Sequence, residues 1–340
     1  MSTVSHLRRR LTTAVAVVAS FALLGLAACS SEPGGTGGGG DGPDSIKVGI
    51  SQFVQHPALD AATAGFKEAL TEAGYVEGEN VEYDLQNAQG EVPNANTIAT
   101  TFASGQYDLV LAVATPSAQA AAQAITGSPV LFTAVTDPVA AGLVDSLEAP
   151  GANITGTSDI NPVADQLKLL TEIDPDAKKV GIVYSSGEVN SEVQVKLAKD
   201  AAKDLGLTVT EATVSNASDI QQATNSLGDV DAIYVPTDNT VVSGIAALIQ
   251  VAEQKQIPVV SGDSGPVDSG AIATIGIDYT KLGYQTGEMA AQILQDGADP
   301  AEMAVETSND VELIINPAAA ERMGVEIPDS VTDRADTVVE

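Results

Sequence analysis

From residue 46 onward the chain alternates two textures. Short apolar runs at 46–51, 81–85, 108–113 and 129–135 are spaced as strands. The stretches between them are helical, as at 57–73, where Leu59, Ala62, Phe66, Ala69 and Ala73 fall on one stripe. Runs that are apolar throughout, instead of at every second position, belong to strands covered on both faces. Strand and helix in alternation therefore predict an α/β fold on a mostly parallel sheet.

The series then begins again. KVGIVYS at Lys179–Ser185 echoes KVGISQF at 47–53, DAIYVP at 231–236 echoes DLVLAV at 108–113, and 257–260 echoes 128–131, at offsets of 132, 123 and 129 residues. The helical stretch 193–205, closed by Gly206, likewise matches 65–73, closed by Gly74. Two copies of one architecture are expected, as two Rossmann-like lobes with parallel sheets. Lobe 1 is assigned 46–158 plus about 280–308, lobe 2 is assigned 159–279 plus about 309–328, and 329–340 is left as a tail. An amphipathic helix at 280–295 would return to the first lobe and a strand at 311–316 to the second, so several crossings form a multi-strand hinge. Open α/β sheets bind ligands beyond the carboxyl ends of their strands, which places a site in the crevice between the lobes.

The first 28 residues are of another kind. Arg8, Arg9 and Arg10 precede an apolar stretch at 11–26, shorter than the roughly 20 residues of a spanning helix, and small residues lead to Cys29, the only cysteine. That is the layout of a cleaved secretory signal. The run Leu26-Ala27-Ala28-Cys29 resembles the lipobox of bacterial lipoproteins, which implies a mature chain beginning at Cys29, lipidated on its sulfur and displayed outside the cell membrane. A lone cysteine also excludes a disulfide within the monomer. Residues 29–45, with GGTGGGG at 34–40, have almost nothing apolar to bury and read as a flexible tether.

Charge narrows the choice of partners. The signal holds three arginines and no acid, so the chain from Cys29 on carries 12 basic and 46 acidic side chains, a formal charge of −34. Such a surface repels nucleic acid and anionic lipid headgroups, which leaves the lipid as the expected membrane attachment. Neither a Walker-type loop nor a dinucleotide fingerprint is present, so no cofactor is expected and ATP hydrolysis would fall to a partner. His56 is the only histidine beyond the signal, too few for a His/Cys zinc site. GDSGP at 262–266 spells the surroundings of a serine protease nucleophile, but a triad needs a histidine held by a carboxylate, and His56 precedes a proline in the other lobe. The chain is read as neither an enzyme nor a metal carrier, and as a monomer.

Several phrases at predicted strand ends carry a family resemblance: GISQFVQHPALD at 49–60, ATPSAQ at 114–119, VTDP at 135–138, GTSD at 156–159, YSS at 184–186 with Asn190 and Ser191, and VPTDNT at 235–240. Together they resemble the substrate-binding lipoproteins of ABC transporters in the family that includes tryptophan and other aromatic amino-acid binders. The resemblance spans about residues 46–328. It implies a type I periplasmic-binding-protein fold, a cleft that closes on its solute, and delivery to a membrane permease driven by an ATPase. Import of another small solute, such as a nucleoside or sugar, or solute sensing for a signalling partner, is the alternative.

The chemistry of the crevice can be read from residue types. Thr115 and Ser117 open a helix after a strand, where free backbone N–H groups and hydroxyls suit a carboxylate. Asp137, Asp159, Asp238 and Asp263 each follow a strand-like run and could hold an ammonium group, with Asp238, beside Asn239, ranked first and Asp137 second. The competing role for each is to cap its own helix. Phe53, in a chain without tryptophan, could cover a flat ligand side chain or sit in the lobe core. Asn190 and Ser191 are the polar candidates across the hinge.

Overall fold

The structure is a computed structural model that describes residues 45–308 and 310–339. The signal, Cys29 and nearly all of the tether lie outside the described residues. Lobe 1 runs β1 (Ile46–Gln52), α1 (Pro57–Glu72), β2 (Val81–Asn87), α2 (Val92–Ser104), β3 (Leu109–Val113), α3 (Thr115–Ala124), β4 (Val130–Val135) and β5 (Ile154–Ser158). Lobe 2 follows with α4 (Val163–Ile173), β6 (Lys179–Ser185), α5 (Val189–Asp204), β7 (Thr208–Val214), α6 (Ile220–Ser226), β8 (Ala232–Val235), α7 (Asn239–Ser243), α8 (Ile245–Lys255), β9 (Val259–Ser261), α9 (Gly265–Asp268) and β10 (Ala273–Ile277). The remainder comprises α10 (Tyr279–Ala291), β11 (Glu306–Thr307), β12 (Val311–Ile315), α11 (Pro317–Arg322), α12 (Asp329–Thr332) and β13 (Thr337–Val338).

The duplication shows in strand order. One sheet is ordered β11-β5-β4-β3-β1-β2, the other β13-β12-β10-β9-β8-β6-β7. Within each, the first five strands of the lobe lie in the order 2-1-3-4-5 and pair in parallel, the doubly wound arrangement whose order reverses beside the first strand. Strands β3 and β4 are buried at every position, as an apolar sequence interrupted only by Thr133 requires. Each lobe has its own apolar core.

The later segments return to both lobes. Ile277, Tyr279, Leu282, Met289 and Val305 join the core of lobe 1, while Leu313, Ile315, Met323 and Val331 join that of lobe 2. Helix α10 lies against α1 at backbone distance: a Cβ on Gly65 would stand 2.0 Å from Thr280 O, and one on Gly283 1.9 Å from Ala62 O. Only glycine permits that approach. β12 pairs antiparallel with β10, and β13 pairs with β12. The stretch read as a tail is therefore partly structural: α12 buries Val331 completely, and β13 extends the sheet of lobe 2. The chain thus crosses between lobes after β5, after β10 and after β11.

Candidate functional site

The lining of the void between the lobes comes from strand ends. His56 and Leu59 follow β1, Ala134 and Thr136 lie at the end of β4, and Asp159 follows β5. From lobe 2 come Asn190 after β6, Thr237, Asp238, Asn239 and Val242 after β8, and Asp263 after β9; Tyr279 stands at the second crossing. These residues close on one another tightly, leaving free room of about 10 Å³, enough for about one water molecule.

Two backbone strains mark the lobe 1 side. Ala134 has φ +55°, at an irregularity in the β4–β5 pairing between Phe132 and Val135. Ala114, which starts α3, has φ +80° and ψ 153°, a region in which side chains are rarely found. Non-glycine residues held in such conformations cluster at ligand sites, where surrounding structure enforces them. Ala114 N–H donates to Thr133 O at 3.0 Å, so the start of α3 lies one strand over from Ala134. The Thr115 hydroxyl there is buried and has no partner.

Three carboxyl groups face the void in different states of engagement. Asp238 is held by its own lobe: Ser185 N–H and the Ser191 hydroxyl each donate to Oδ2 at 2.6 Å, and Val241 N–H donates to Oδ1 at 2.7 Å, capping α7. Burial, then the neighbouring Glu188 charge, still pushes its pKa well above the carboxylate range. Asp159 accepts from Tyr279 OH at 2.7 Å and Thr136 Oγ1 at 3.0 Å, which joins two of the crossing segments, and its burial also raises its pKa. Asp263 accepts one backbone bond, from Gly265 N–H at 3.0 Å. Burial pushes its pKa up to about 7, and the Asp159 charge adds to the rise.

Behind Asn239 stands Glu188, a buried carboxylate that sequence reasoning passed over. It accepts from Asn239 Nδ2 at 2.6 Å and Asn239 N–H at 3.2 Å, from Thr240 N–H at 3.0 Å and Oγ1 at 2.8 Å, and from Asn190 Nδ2 at 3.1 Å. His56 reaches across the cleft to Asn239 Oδ1 at 3.3 Å, and burial lowers its pKa to about 4. His56 Nδ1 and Asn190 Oδ1 are buried without partners.

The structure brings Asp159, Asn190, Asp238, Asn239 and Asp263 together around the void. Ser191 stands directly behind Asp238. Thr115 and Ser117 are buried at the head of α3, Ser117 within 3.4 Å of Ser51 Oγ. Phe53 packs in the core of lobe 1, and Asp137 turns its carboxylate to Val139 N–H and Ala140 N–H of the following turn. His56, Thr136, Thr237 and Tyr279 were not singled out as ligand contacts. Each lies within a few residues of a strand end, and that position was the available signal.

Twin lobes, three crossings and a polar void at the strand ends define a hinged solute-binding protein. A family model described as ABC transporter substrate binding protein matches residues 47–339, and the chain belongs to that family. Its fold is that of the type I periplasmic binding proteins. The chain is 46% identical over 277 residues to a tyrosine-binding protein of Clostridioides difficile, covering 81% of this chain and 80% of that one. A Streptococcus pneumoniae ABC domain solved in complex with L-Trp is 36% identical with a TM-score of 0.84, over 87% of this chain and 100% of that one. A ligand-free, open substrate-binding protein with adhesive properties from Clostridium difficile is 45% identical, over 87% and 99% of the two chains, yet its TM-score is 0.66. Lobe placement here thus resembles the tryptophan complex more than the open form, in spite of the sequence ranking.

Proposed function

We propose that this substrate-binding protein captures an aromatic amino acid outside the cytoplasmic membrane, anchored by lipid on Cys29, and presents it to an ABC permease. The observation that carries the ligand class is the 46% identity to a tyrosine-binding protein across four-fifths of both chains. The site chemistry supports it. The lining hydroxyls of Thr136 and Tyr279 both donate to Asp159, and the Asn239 amide donates to Glu188, so the valences left open are mainly acceptors. An ammonium group supplies donors and positive charge together, and Asp159 with Asp263 are its proposed partners. The ligand carboxylate is assigned to the head of α3, where the buried Thr115 hydroxyl has no partner and a helix start favours an anion. The void admits such a ligand as the lobes part and the lining side chains draw back.

A thermal-shift panel on the mature domain tests this reading. A ligand at about a hundred times its dissociation constant adds roughly 2.7 kcal/mol to the folded state. Stabilisation by tyrosine, tryptophan or phenylalanine, with none by ribose or a nucleoside, is expected. Stabilisation by a sugar or nucleoside alone would overturn it.

A further inference from the structure

We infer that His56 selects among aromatic ligands by accepting a hydrogen bond from a donor on the ring, a phenol hydroxyl or an indole N–H. The inference rests on the proposed amino-acid reading. It starts from Glu188, whose carboxylate accepts from Asn239 Nδ2. A carboxylate has only acceptors to offer, so the Asn239 amide cannot be turned round, and its Oδ1 must face His56. Oδ1 accepts only, so His56 must carry its proton on Nε2 and donate it there. Nδ1 is then a bare lone pair. It is buried, it has no partner, and its ring lines the void at 8% exposure.

The residues that line the void with His56 suit a ring. His56 and Leu59 come from the start of α1, Asn239 and Val242 from α7, and the His56–Asn239 bond draws these two pairs together across the cleft. The aliphatic groups of Leu59 and Val242 supply apolar wall, and Nδ1 supplies one polar point. Asp159, Thr136 and Tyr279 form a separate hydrogen-bonded group at the hinge. Burial also keeps the imidazole neutral down to a pH of about 4, so the acceptor persists over the physiological range. A buried acceptor that meets a ligand lacking the donor stays unsatisfied, which disfavours that ligand.

Isothermal titration of the mature protein with tyrosine, tryptophan and phenylalanine tests the assignment. Tyrosine or tryptophan should bind at least about tenfold more tightly than phenylalanine. In His56→Leu, which also removes the cross-cleft bond to Asn239 for every ligand, that ratio should collapse to within about threefold because tyrosine and tryptophan lose more than phenylalanine does. His56→Asn, which returns an acceptor near the place of Nδ1, should restore part of the preference. Circular dichroism melting confirms that each variant is folded. Equal binding of all three ligands by the unaltered protein, or a preference that survives in His56→Leu, overturns the role of His56 and leaves the amino-acid reading standing. Absence of binding by any of the three overturns that reading and this inference with it.

Discussion

Replacing Asp263 by asparagine should stabilise the empty protein and weaken its ligand, two effects of opposite sign from one atom change. Asparagine keeps the Oδ1 that accepts from Gly265 N–H and removes the charge. The pKa of Asp263 rises from 3.8 to about 7 on folding because the carboxylate is buried and Asp159 lies near. The folded state therefore binds this proton more strongly than the unfolded state. Stability falls as pH climbs from about 4 to 7, by about 1.4 kcal/mol for each pH unit, and the full penalty stands above 7. Across that window the penalty reaches about 4 kcal/mol, an upper figure for a single buried carboxyl group. Urea unfolding at pH 8 should show Asp263→Asn more stable by up to that amount, whereas at pH 4.5 the gap should shrink to about 1 kcal/mol. Ligand affinity should fall by about 2–5 kcal/mol if the ammonium pairs with this carboxylate. Titration of the unaltered protein near pH 7, in buffers of different ionisation enthalpy, should show proton release on binding. A variant less stable at pH 8, or one that binds like the parent, would refute the reasoning.

Asp238→Ala should lower the melting temperature, since Ser185 N–H, the Ser191 hydroxyl and the α7 cap all lose their acceptor at about 1–3 kcal/mol for a buried group, while affinity changes only a few-fold; a large loss of affinity in a folded variant would assign the ammonium to Asp238. Thr115→Val should cost about 0.5–1.5 kcal/mol of ligand binding with no loss of stability, measured by titration and melting, and unchanged affinity would move the ligand carboxylate elsewhere. Gly283→Ala should destabilise lobe 1 by about 1–3 kcal/mol or more, read from the denaturation midpoint, because its Cβ meets Ala62 O; a parental midpoint would mean that α1 and α10 are not so closely joined.

The fold was largely legible because its central strands are buried on both sides. β3 and β4 have no polar face, so their apolar runs stand out, and repetition of the phrase KVGI at 47–50 and 179–182 announced the second lobe. The tail was misread because α12 and β13 are short and carry one deeply buried residue, Val331, among charged neighbours; periodicity has nothing to count there. Glu188 was missed for a related reason. Its position ahead of α5 looks like surface, and its burial arises only because Asn239 and Thr240, about fifty residues further on, close over it. His56 was weighed only as a zinc ligand and as a catalytic base. Its free nitrogen depends on the orientation of an amide in the other lobe, which no local pattern records.

The charges around the void suggest why a ligand and a closed cleft should come together. Asp159 follows β5 and Asp263 follows β9, both line the void, and the Asp159 charge raises the cost of ionising Asp263. With no cation present, closing the lobes forces these groups to retain protons or to repel one another in a place with little water. On the proposed reading an amino acid brings the missing positive charge on its ammonium group, which converts the same pair from an obstacle into an attraction. Closure then draws its differential free energy from the ligand, as a population shift requires. A sugar has no charge with which to do this, so on the same proposed reading the hinge-side carboxyl groups discriminate between amino acids and neutral solutes before any fit to the ring.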